Sequence, residues 1–596
     1  MIRDDLKKAI SEETELSLGD IKIEKPKNNQ ADYAFGVFAM AKEANKSPQD
    51  VASTLTQLLS QAPISGIERI EASGGYVNFF LTSDYLQHEL LEISKQEHFG
   101  RNDSFRDKTV MVEYTDPNPF KIFHIGHLMS NTIGESIARL YTTSNAKVLR
   151  VNYQGDVGLH VAKALWGATH ILKDNFPREE SSLQRKIQYF GNSYSVGNGA
   201  YDLGDLSGQM SFPNGPSKGD MRKQIEDINQ KIYDRSDEEI NRIYDIGKKW
   251  SLEYFETIYK RLGTTFNHYF FESEVASDGL KIVKAHPDIF VEGDSGTRVF
   301  KGEEYGLHTR VFVNSKGLPT YEAKELALNK KKFDEYNPAL SVIVTANEIN
   351  EYFKVLKKAM FLTMPDVAEK TNHVGHGLMK LASGKMSSRA VHSSAIHPQG
   401  YIKIDAQGNL ISNIIPADSF IDQTVEKLKE KESEEMDDET REAVAVGAIK
   451  YSILKQSIGK DIIFDFDTSL AVKGDSGPYL QYTYARLKAI IAKAGERADM
   501  KPDVAELIEP SELALIKHFL EFPVVIREAG EMLAPQRVAL YVFELANLSN
   551  SFYEKVHILD DEDSGRVSAR LLLVSIAALI LHRGLSVLGI KTPERI

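Results

Sequence analysis

Short apolar runs rich in β-branched residues alternate with helical periodicity along the middle of the chain. Residues 110–113, 147–152 and 340–345 are typical of buried strands. Between the first two, apolar positions recur at helical spacing over 133–140. Strands that alternate with helices form parallel sheets, so this pattern predicts an α/β domain over residues 106–390.

Regions with different patterns flank this domain. Residues 1–105 predict a small α/β domain with a helix over 34–42, a second helix that starts near Ser47, and a strand over 76–80. Residues 391–470 form a linker region. The remainder, 471–596, predicts a helical bundle with helices over 479–492, 512–520, 537–552 and 568–588.

An insertion of about 165–290 interrupts the central domain. Its segment 191–220 is rich in Gly, Ser and Asn and predicts a flexible loop. A capping-box pattern over 236–239 then opens a long helix. We expect its apolar positions to be core: Ile240, Ile243, Ile246 and Trp250.

Composition narrows the class of protein only modestly. The 596 residues are 42% hydrophobic and 26% charged, as expected of a globular protein with several domains. The absence of cysteine excludes disulfides, thiolate zinc sites and cysteine nucleophiles. No membrane-spanning run is apparent, so we expect no membrane partner. The net charge of −13 argues weakly against nucleic acid, but phosphate contacts need only local basic surface.

The first candidate site is His124-Ile125-Gly126-His127, which follows a strand and a loop with two prolines and opens a helix. Unpaired N–H groups and the helix dipole attract phosphate at such a position. His124 and His127 lie on one helix face, and Gly126 leaves room for a nucleotide. Two capping histidines are the alternative; the strand-to-helix context favours a phosphate site.

The second candidate site is Lys385-Met386-Ser387-Ser388-Arg389. Alone it could be any polar surface loop. Together with the first motif it predicts ATP binding, because a loop with lysine and hydroxyl groups can close over a triphosphate as charge develops.

The chain resembles the arginyl-tRNA synthetases, a class I family, nearly from end to end. Five segments carry the resemblance: the run from Glu113 to His127, the turn Gln154-Gly155-Asp156, the helix start Tyr321-Glu-Ala-Lys-Glu325, the run from Gly477 to Arg486, and the final Lys591-Thr-Pro-Glu-Arg-Ile596. The resemblance implies a Rossmann-like catalytic domain with an insertion, a small α/β N-terminal domain and a C-terminal helical anticodon-binding domain.

The resemblance also implies a set of site residues. Arginine would bind Glu113, Asn118, Tyr321 and Glu325, which suits a planar, permanently charged guanidinium. Glu322, on another face of that helix, is interpreted as a solvated surface charge. ATP would contact His124, Gly126, His127, Lys385, Met386 and Ser387, and catalysis would use Lys121, His124, His127 and Lys385.

Three positions depart from the family pattern. Glu325 stands where the family usually has Asp, and Ile349 where it often has Gln. Ser388 replaces the second lysine of the KMSKS loop. Members without that lysine typically carry one just before the family's HIGH motif, which corresponds here to His124–His127. Lys121 lies at that position. We predict that Lys121 supplies the missing charge; an ordinary surface lysine is the alternative.

Four residues are predicted to contact tRNA. Tyr76 and Asn78 fall where the family contacts an exposed D-loop base, although core packing of Tyr76 is an equal alternative. Tyr482 and Arg486 could contact anticodon bases, or pack a helix interface.

The expected activity is ATP-dependent ligation of L-arginine to tRNA(Arg), with Mg²⁺ and without zinc, by a cytoplasmic monomer. Members of the family usually need bound tRNA before they activate arginine. Two alternatives stay open: a synthetase for another cationic amino acid, and a tRNA-binding scaffold with weakened catalysis.

Overall fold

The computed structural model describes residues 2–26, 30–202, 218–382, 403–404, 410–411, 415–431 and 436–596. The predicted site residues Lys385, Met386 and Ser387 lie outside the described residues. Ser388 lies outside them as well.

The N-terminal domain is a four-stranded antiparallel sheet with helices on it. Its elements are α1 Ile2–Glu13, β1 Ile23–Glu24, β2 Tyr33–Gly36, α2 Phe38–Glu43, α3 Pro48–Leu59, β3 Ile67–Ser73, β4 Tyr76–Leu81 and α4 Ser83–Ser94. The strand order is β1-β2-β4-β3. The predicted strand over 76–80 is confirmed, and so is the helix start at Ser47, whose side chain accepts a hydrogen bond from the Asp50 N–H.

The predicted helix over 34–42 is wrong in its first half. Residues Tyr33–Gly36 form β2 and pair with β4, and only Phe38–Glu43 is helical. Tyr33, Ala34 and Phe35 are all buried, so sheet pairing and burial override a local pattern that is compatible with a helix.

The central domain holds a five-stranded parallel sheet. Its strands and helices are β5 Thr109–Tyr114, α5 Ile125–Thr143, β6 Lys147–Gln154, α6 Leu159–Trp166, α7 Leu183–Asp202, α8 Lys218–Asp234, α9 Glu238–Leu262, β7 His268–Phe271, α10 Glu272–Ala285, β8 Phe290–Glu292, β9 Arg298–Phe300, β10 Arg310–Val313, α11 Tyr321–Tyr336, β11 Leu340–Ala346, α12 Asn350–Thr363, α13 Pro365–Glu369 and β12 Thr371–His376.

Strand order in this sheet fixes where a ligand can bind. The order is β12-β11-β5-β6-β7, all parallel, which confirms the predicted α/β class. The chain moves outward in one direction from β5 to β7, and then returns to build β11 and β12 on the other side. Such a reversal opens a crevice at the carboxyl ends of β5 and β11. A separate antiparallel sheet, β10-β9-β8, lies within the same domain.

The insertion is more helical than predicted. The segment expected to be a loop from 191 is helical up to Asp202, and residues 203–217 lie outside the described part. Its glycines allow close helix packing: a Cβ at Gly197 would meet the Lys163 carbonyl oxygen at 1.9 Å. The cap of α9 is Asp237 rather than Ser236, and its carboxylate accepts from the N–H groups of Glu239 and Ile240.

The C-terminal part is largely helical, as predicted. Its elements are β13 Met379–Leu381, β14 Lys403–Ile404, β15 Leu410–Ile411, α14 Ala417–Lys429, α15 Asp438–Leu454, β16 Ile462–Phe464, α16 Phe466–Ser469, α17 Gly477–Ala494, α18 Pro510–Phe519, α19 Phe522–Glu531, α20 Gln536–Lys555 and α21 Ser564–Val587. Helix α19 was not predicted, and neither were α14 and α16 in the expected linker region 391–470. Strands β13 and β16 pair in parallel, and β14 and β15 pair antiparallel.

Helix α21 corrects one expectation, because it is long and apolar enough to cross a membrane. However, 67% of its most apolar window is buried inside the protein. Its contacts with α17 and α20 are those of a central bundle helix. Burial within the bundle therefore accounts for its apolar composition.

Candidate active site

The loop between β5 and α5, residues 115–120, is the centre of the candidate site. Three of its non-glycine residues have positive φ: Thr115 at 85°, Asp116 at 46° and Phe120 at 68°. The Thr115 N–H donates to Ser130 Oγ at 3.0 Å, and the Phe120 N–H donates to Ser251 Oγ at 3.0 Å. A strained backbone held by buried bonds is typical of functional sites.

Both histidine rings accept hydrogen bonds from backbone N–H groups at the start of α5, so the capping alternative is observed. His124 Nδ1 accepts from the Gly126 N–H at 3.1 Å, and His127 Nδ1 accepts from the His124 N–H at 3.2 Å. The rings stack with centroids 3.8 Å apart. A Cβ at Gly126 would lie 2.9 Å from His124 Cε1, so glycine leaves room for the folded ring.

These bonds determine the charge and tautomer of both rings. Burial, with Lys121 nearby, lowers the pKa of His124 to about 4. Burial also lowers the pKa of His127 well below its usual range, with His124 and Lys121 adding to the effect. Both rings are therefore neutral, and because Nδ1 accepts, Nε2 carries the proton. Each ring keeps one N–H donor for a ligand.

Lys121 stands beside this pair. Its ammonium lies 4.8 Å from the centre of the Tyr194 ring. Burial, with repulsion from Lys163, lowers the pKa of Lys121 to about 8. A cation that is destabilised by burial gains from an anionic ligand. We call Lys121, His124, Gly126 and His127 the phosphate side.

Across the loop lies a group of carboxyl groups, which we call the acidic pocket: the buried Glu113, Glu272 and Glu325, and the half-buried Asp116. Lys332 Nζ lies 2.6 Å from Glu113 Oε2, and Lys324 pairs with Glu272. Burial, with Glu113 as the next cause, raises the pKa values of both Glu325 and Asp116 well above their usual range. Lys121 of the phosphate side also acts on Glu272. Four carboxyl groups thus face three lysines, so the pocket favours an added cation.

The other predicted arginine ligands border this pocket. Asn118 Oδ1 accepts from the Gly155 N–H at 3.0 Å, which joins the loop to the end of β6. Tyr321 opens α11 and is 55% exposed, while Glu325, one turn later, is buried. The structure therefore gathers Glu113, Asn118, Tyr321 and Glu325 around one crevice.

The prediction for Glu322 is wrong. Its side chain is buried and lies 3.2 Å from Arg310 Nη1. An ion pair within the protein, rather than solvent, holds this charge.

Several residues of the site escaped the sequence analysis. Asp156 is fully buried and accepts from Tyr244 at 3.0 Å, Lys248 at 2.7 Å and Ser273 Oγ at 2.7 Å, so it ties α9 and α10 to the turn after β6. His376, buried at the end of β12, donates from Nδ1 to the Gly377 carbonyl at 2.7 Å and contributes to the lowered pKa of His127. The position of Asp156 just after a strand was an available signal; His376 had none.

The predicted tRNA contacts lie on two other elements, β4 and α17. Strand β4 alternates, with Val77 and Phe79 buried and Tyr76 exposed at 37%. Core packing of Tyr76 is therefore excluded, and its ring meets the Phe38 ring edge-on at 5.1 Å. Asn78 is half-buried on the same strand face.

On α17, Arg486 is exposed, donates to Asn550 Oδ1 at 3.0 Å and lies 5.8 Å from the Tyr553 ring centre. Tyr482 is half-buried on the same helix. Arg486 is therefore accessible to a ligand and lies beside an aromatic side chain, whereas Tyr482 is less accessible.

Comparisons with known proteins agree with this geometry. A model described as the class I tRNA synthetase (R) catalytic domain matches residues 89–466. An arginyl-tRNA synthetase N-terminal domain matches 1–81, and a DALR anticodon-binding domain matches 480–596. The parallel sheet with its histidine-capped helix and these matches define a class I aminoacyl-tRNA synthetase. Within that class, the chain belongs to the arginyl-tRNA synthetase family.

Individual relatives span almost the full length. Arginine–tRNA ligase of Clostridium acetobutylicum is 28% identical over 96% of this chain and 94% of that protein. Arginine–tRNA ligase of Clostridium perfringens is 28% identical over 98% of each chain. In fold, the chain is similar to arginyl-tRNA synthetase of Thermus thermophilus, with a TM-score of 0.78, 24% identity and full coverage of both chains.

Proposed function

We propose that this protein activates L-arginine with ATP and transfers it to the terminal adenosine of tRNA(Arg). The observation that carries the proposal is the separation of charge across the loop 115–120. Neutral N–H donors and one ammonium collect on the phosphate side, while excess carboxyl groups collect in the acidic pocket. A triphosphate and a guanidinium need these opposite surroundings.

In the acidic pocket, Glu325 would pair with the guanidinium while the exposed Tyr321 ring covers it. Glu113 is already paired with Lys332, so its contribution is to keep the pocket negative and to hold the end of β5 in place. Asn118 would orient the polar groups of arginine from the loop. Binding the cation relieves the repulsion between Glu113 and Glu325.

On the phosphate side, the arginine carboxylate would attack the α-phosphate in line, and pyrophosphate would leave. The Nε2–H groups of His124 and His127 donate to phosphate oxygens, and Lys121 adds positive charge. These groups are fixed before reaction, so they stabilise developing charge without reorganising, and the protein needs no nucleophile. Lys385, Met386 and Ser387, outside the described residues, keep their predicted contact with ATP.

Mg²⁺ neutralises phosphate charge when bound. No group of three His, Asp or Glu side chains that could hold a metal occurs in the part of the chain that the structure describes. Mg²⁺ bound together with ATP would add positive charge beside Lys121, His124 and His127.

Transfer would follow when the 2′-hydroxyl of the terminal tRNA adenosine attacks the mixed anhydride. The exposed Tyr76 offers a ring for stacking on an unpaired base, with Asn78 beside it, and Arg486 with Tyr482 offers contacts at the anticodon end. We propose that the enzyme acts as a cytoplasmic monomer. We also propose that arginine activation depends on bound tRNA, which pyrophosphate exchange measured with and without tRNA tests.

The deciding experiment is transfer of each labelled amino acid to unfractionated tRNA, with ATP and Mg²⁺. We expect charging with arginine alone. Charging with lysine instead would support a synthetase for another cation, and no charging by folded protein would support a tRNA-binding scaffold. Either result would contradict the proposal.

A further inference from the structure

Tyr153 lies near the carboxyl end of β6 and faces the acidic pocket. Glu113 on β5 pairs with Val151 in the sheet, and Tyr153 follows two residues later on the same face of its strand. Its ring packs with Met111, Val151 and Leu328. Its N–H donates to Asp116 Oδ1 at 2.8 Å, so the backbone is fixed to the strained loop.

The hydroxyl of Tyr153 is buried and has no hydrogen-bond partner among the described residues. Two other buried tyrosines, Tyr114 on β5 and Tyr259 on α9, have hydrogen-bond partners. Tyr114 donates to Glu135 Oε2 at 2.6 Å, and Tyr259 accepts from Asn152 Nδ2 at 2.9 Å. A buried hydroxyl without a partner is costly, so its retention points to a partner that arrives with a ligand.

The surroundings of this hydroxyl specify the charge of that ligand. Burial raises the pKa of Tyr153 well above its usual range, and the carboxyl groups of Glu272 and Glu325 raise it further. The phenol therefore keeps its proton and lies in a negative field. A ligand group that donates hydrogen bonds and carries positive charge fits such a position.

We propose that the Tyr153 hydroxyl determines specificity for arginine by accepting one guanidinium N–H; this rests on the proposed function. A guanidinium has five N–H donors, and two carboxylates together with a phenol oxygen can accept them.

An acceptor at Tyr153 would compensate for Ile349, which stands where the family often has an amide side chain. Ile349 is 38% exposed and brings no acceptor to the crevice. Tyr153 supplies a neutral acceptor from the opposite side of the pocket. An ammonium such as that of lysine has only three donors, clustered at one atom, so it would leave an acceptor of the pocket unpaired.

The test is Tyr153→Phe, which removes only the oxygen atom. Calorimetric titration with L-arginine and L-lysine measures affinity, and thermal unfolding of the unliganded protein measures stability. We expect arginine to bind about 10-fold to 100-fold more weakly, the range for one hydrogen bond to a charged group. Because the hydroxyl is unpaired without ligand, Tm should stay the same or rise.

Tyr114→Phe is the matched control, since its hydroxyl is bonded within the protein. It should lower Tm and leave arginine affinity unchanged. If Tyr153→Phe bound arginine like the wild type, or lost stability as the control does, the role of Tyr153 would be contradicted. The proposed function would be unaffected. Failure of the wild type to bind arginine both with and without tRNA would instead overturn the proposed function.

Discussion

The two sides of the loop 115–120 use burial in opposite ways. On the phosphate side, burial lowers pKa values, so that two histidines are neutral and Lys121 is a destabilised cation. In the acidic pocket, burial raises pKa values, so that Glu325 and Asp116 resist ionisation. Desolvation disfavours charge in both places, and each side becomes receptive to a ligand of the opposite charge.

The difference shows how one loop can separate two substrates. The backbone of 115–120 is strained, but it is bonded to α5, α9 and β6. It therefore holds the imidazole donors and the carboxyl groups at fixed positions. Changes on one side should affect one substrate and spare the other.

The largest expected effect comes from the phosphate side. His127→Ala removes an N–H donor that acts on developing charge, and we expect kcat for adenylate formation to fall about 100-fold to 1000-fold. The KM for arginine should change little. Pyrophosphate exchange with tRNA present measures both, with His286→Ala at the end of α10 as the control. An equal rise in the KM for arginine would contradict the separation.

The next effect tests the acidic pocket. Glu325→Gln removes the carboxylate but keeps its size, and the KM for arginine should rise about 10-fold to 100-fold while that for ATP stays constant. Glu322→Gln on the same helix is the matched control. Its carboxylate pairs with Arg310, so that variant should lose stability and keep its KM for arginine. If both variants behaved alike, Glu325 would have no special role.

A pH profile then tests Lys121. Its pKa is lowered to about 8, so its positive charge is present below that pH and is lost as pH rises through it. We expect kcat/KM for ATP, which reports the free enzyme, to decrease above pH 8 by up to about 10-fold per pH unit. Lys121→Arg should remove this decrease, because guanidinium stays charged. An unchanged profile in that variant would assign the decrease to another group.

The smallest effect lies outside both sides of the loop. Tyr76→Ala should raise the KM for tRNA about 5-fold to 10-fold through lost base stacking. The KM values for ATP and arginine should not change. Tyr305→Ala, which removes an aromatic ring of similar exposure on another surface, is the control. An equal effect of both changes would indicate that Tyr76 has no specific contact.

Sequence reasoning predicted the elements that local pattern determines. The parallel strands, the helix that opens at the first motif and most bundle helices followed from periodicity and capping. It failed where tertiary contacts decide. The local pattern of β2 favours a helix, but this segment pairs in a sheet. The glycines of α7 favour a loop, but they allow two helices to pack closely.

The same limit applies to the candidate site. The residues of the phosphate side lie within the run 121–127, so a single motif groups them in the sequence. The acidic pocket combines residues from β5, α10, α11 and a loop, which are far apart in the sequence. The sequence therefore did not predict Glu272, Asp116 or the ion pair of Glu113 with Lys332. Whether a charged residue is solvated or paired depends on elements far away in the chain.

Proton release on arginine binding tests the separation of charge most directly. Arginine is titrated calorimetrically at pH 7 in buffers of different ionisation enthalpy, which counts the protons exchanged. Because the pKa of Glu325 is raised without ligand, and a nearby guanidinium lowers it, the account predicts net proton release. The release should vanish in Glu325→Gln. Arginine binding without proton release, or with proton uptake, would contradict the account.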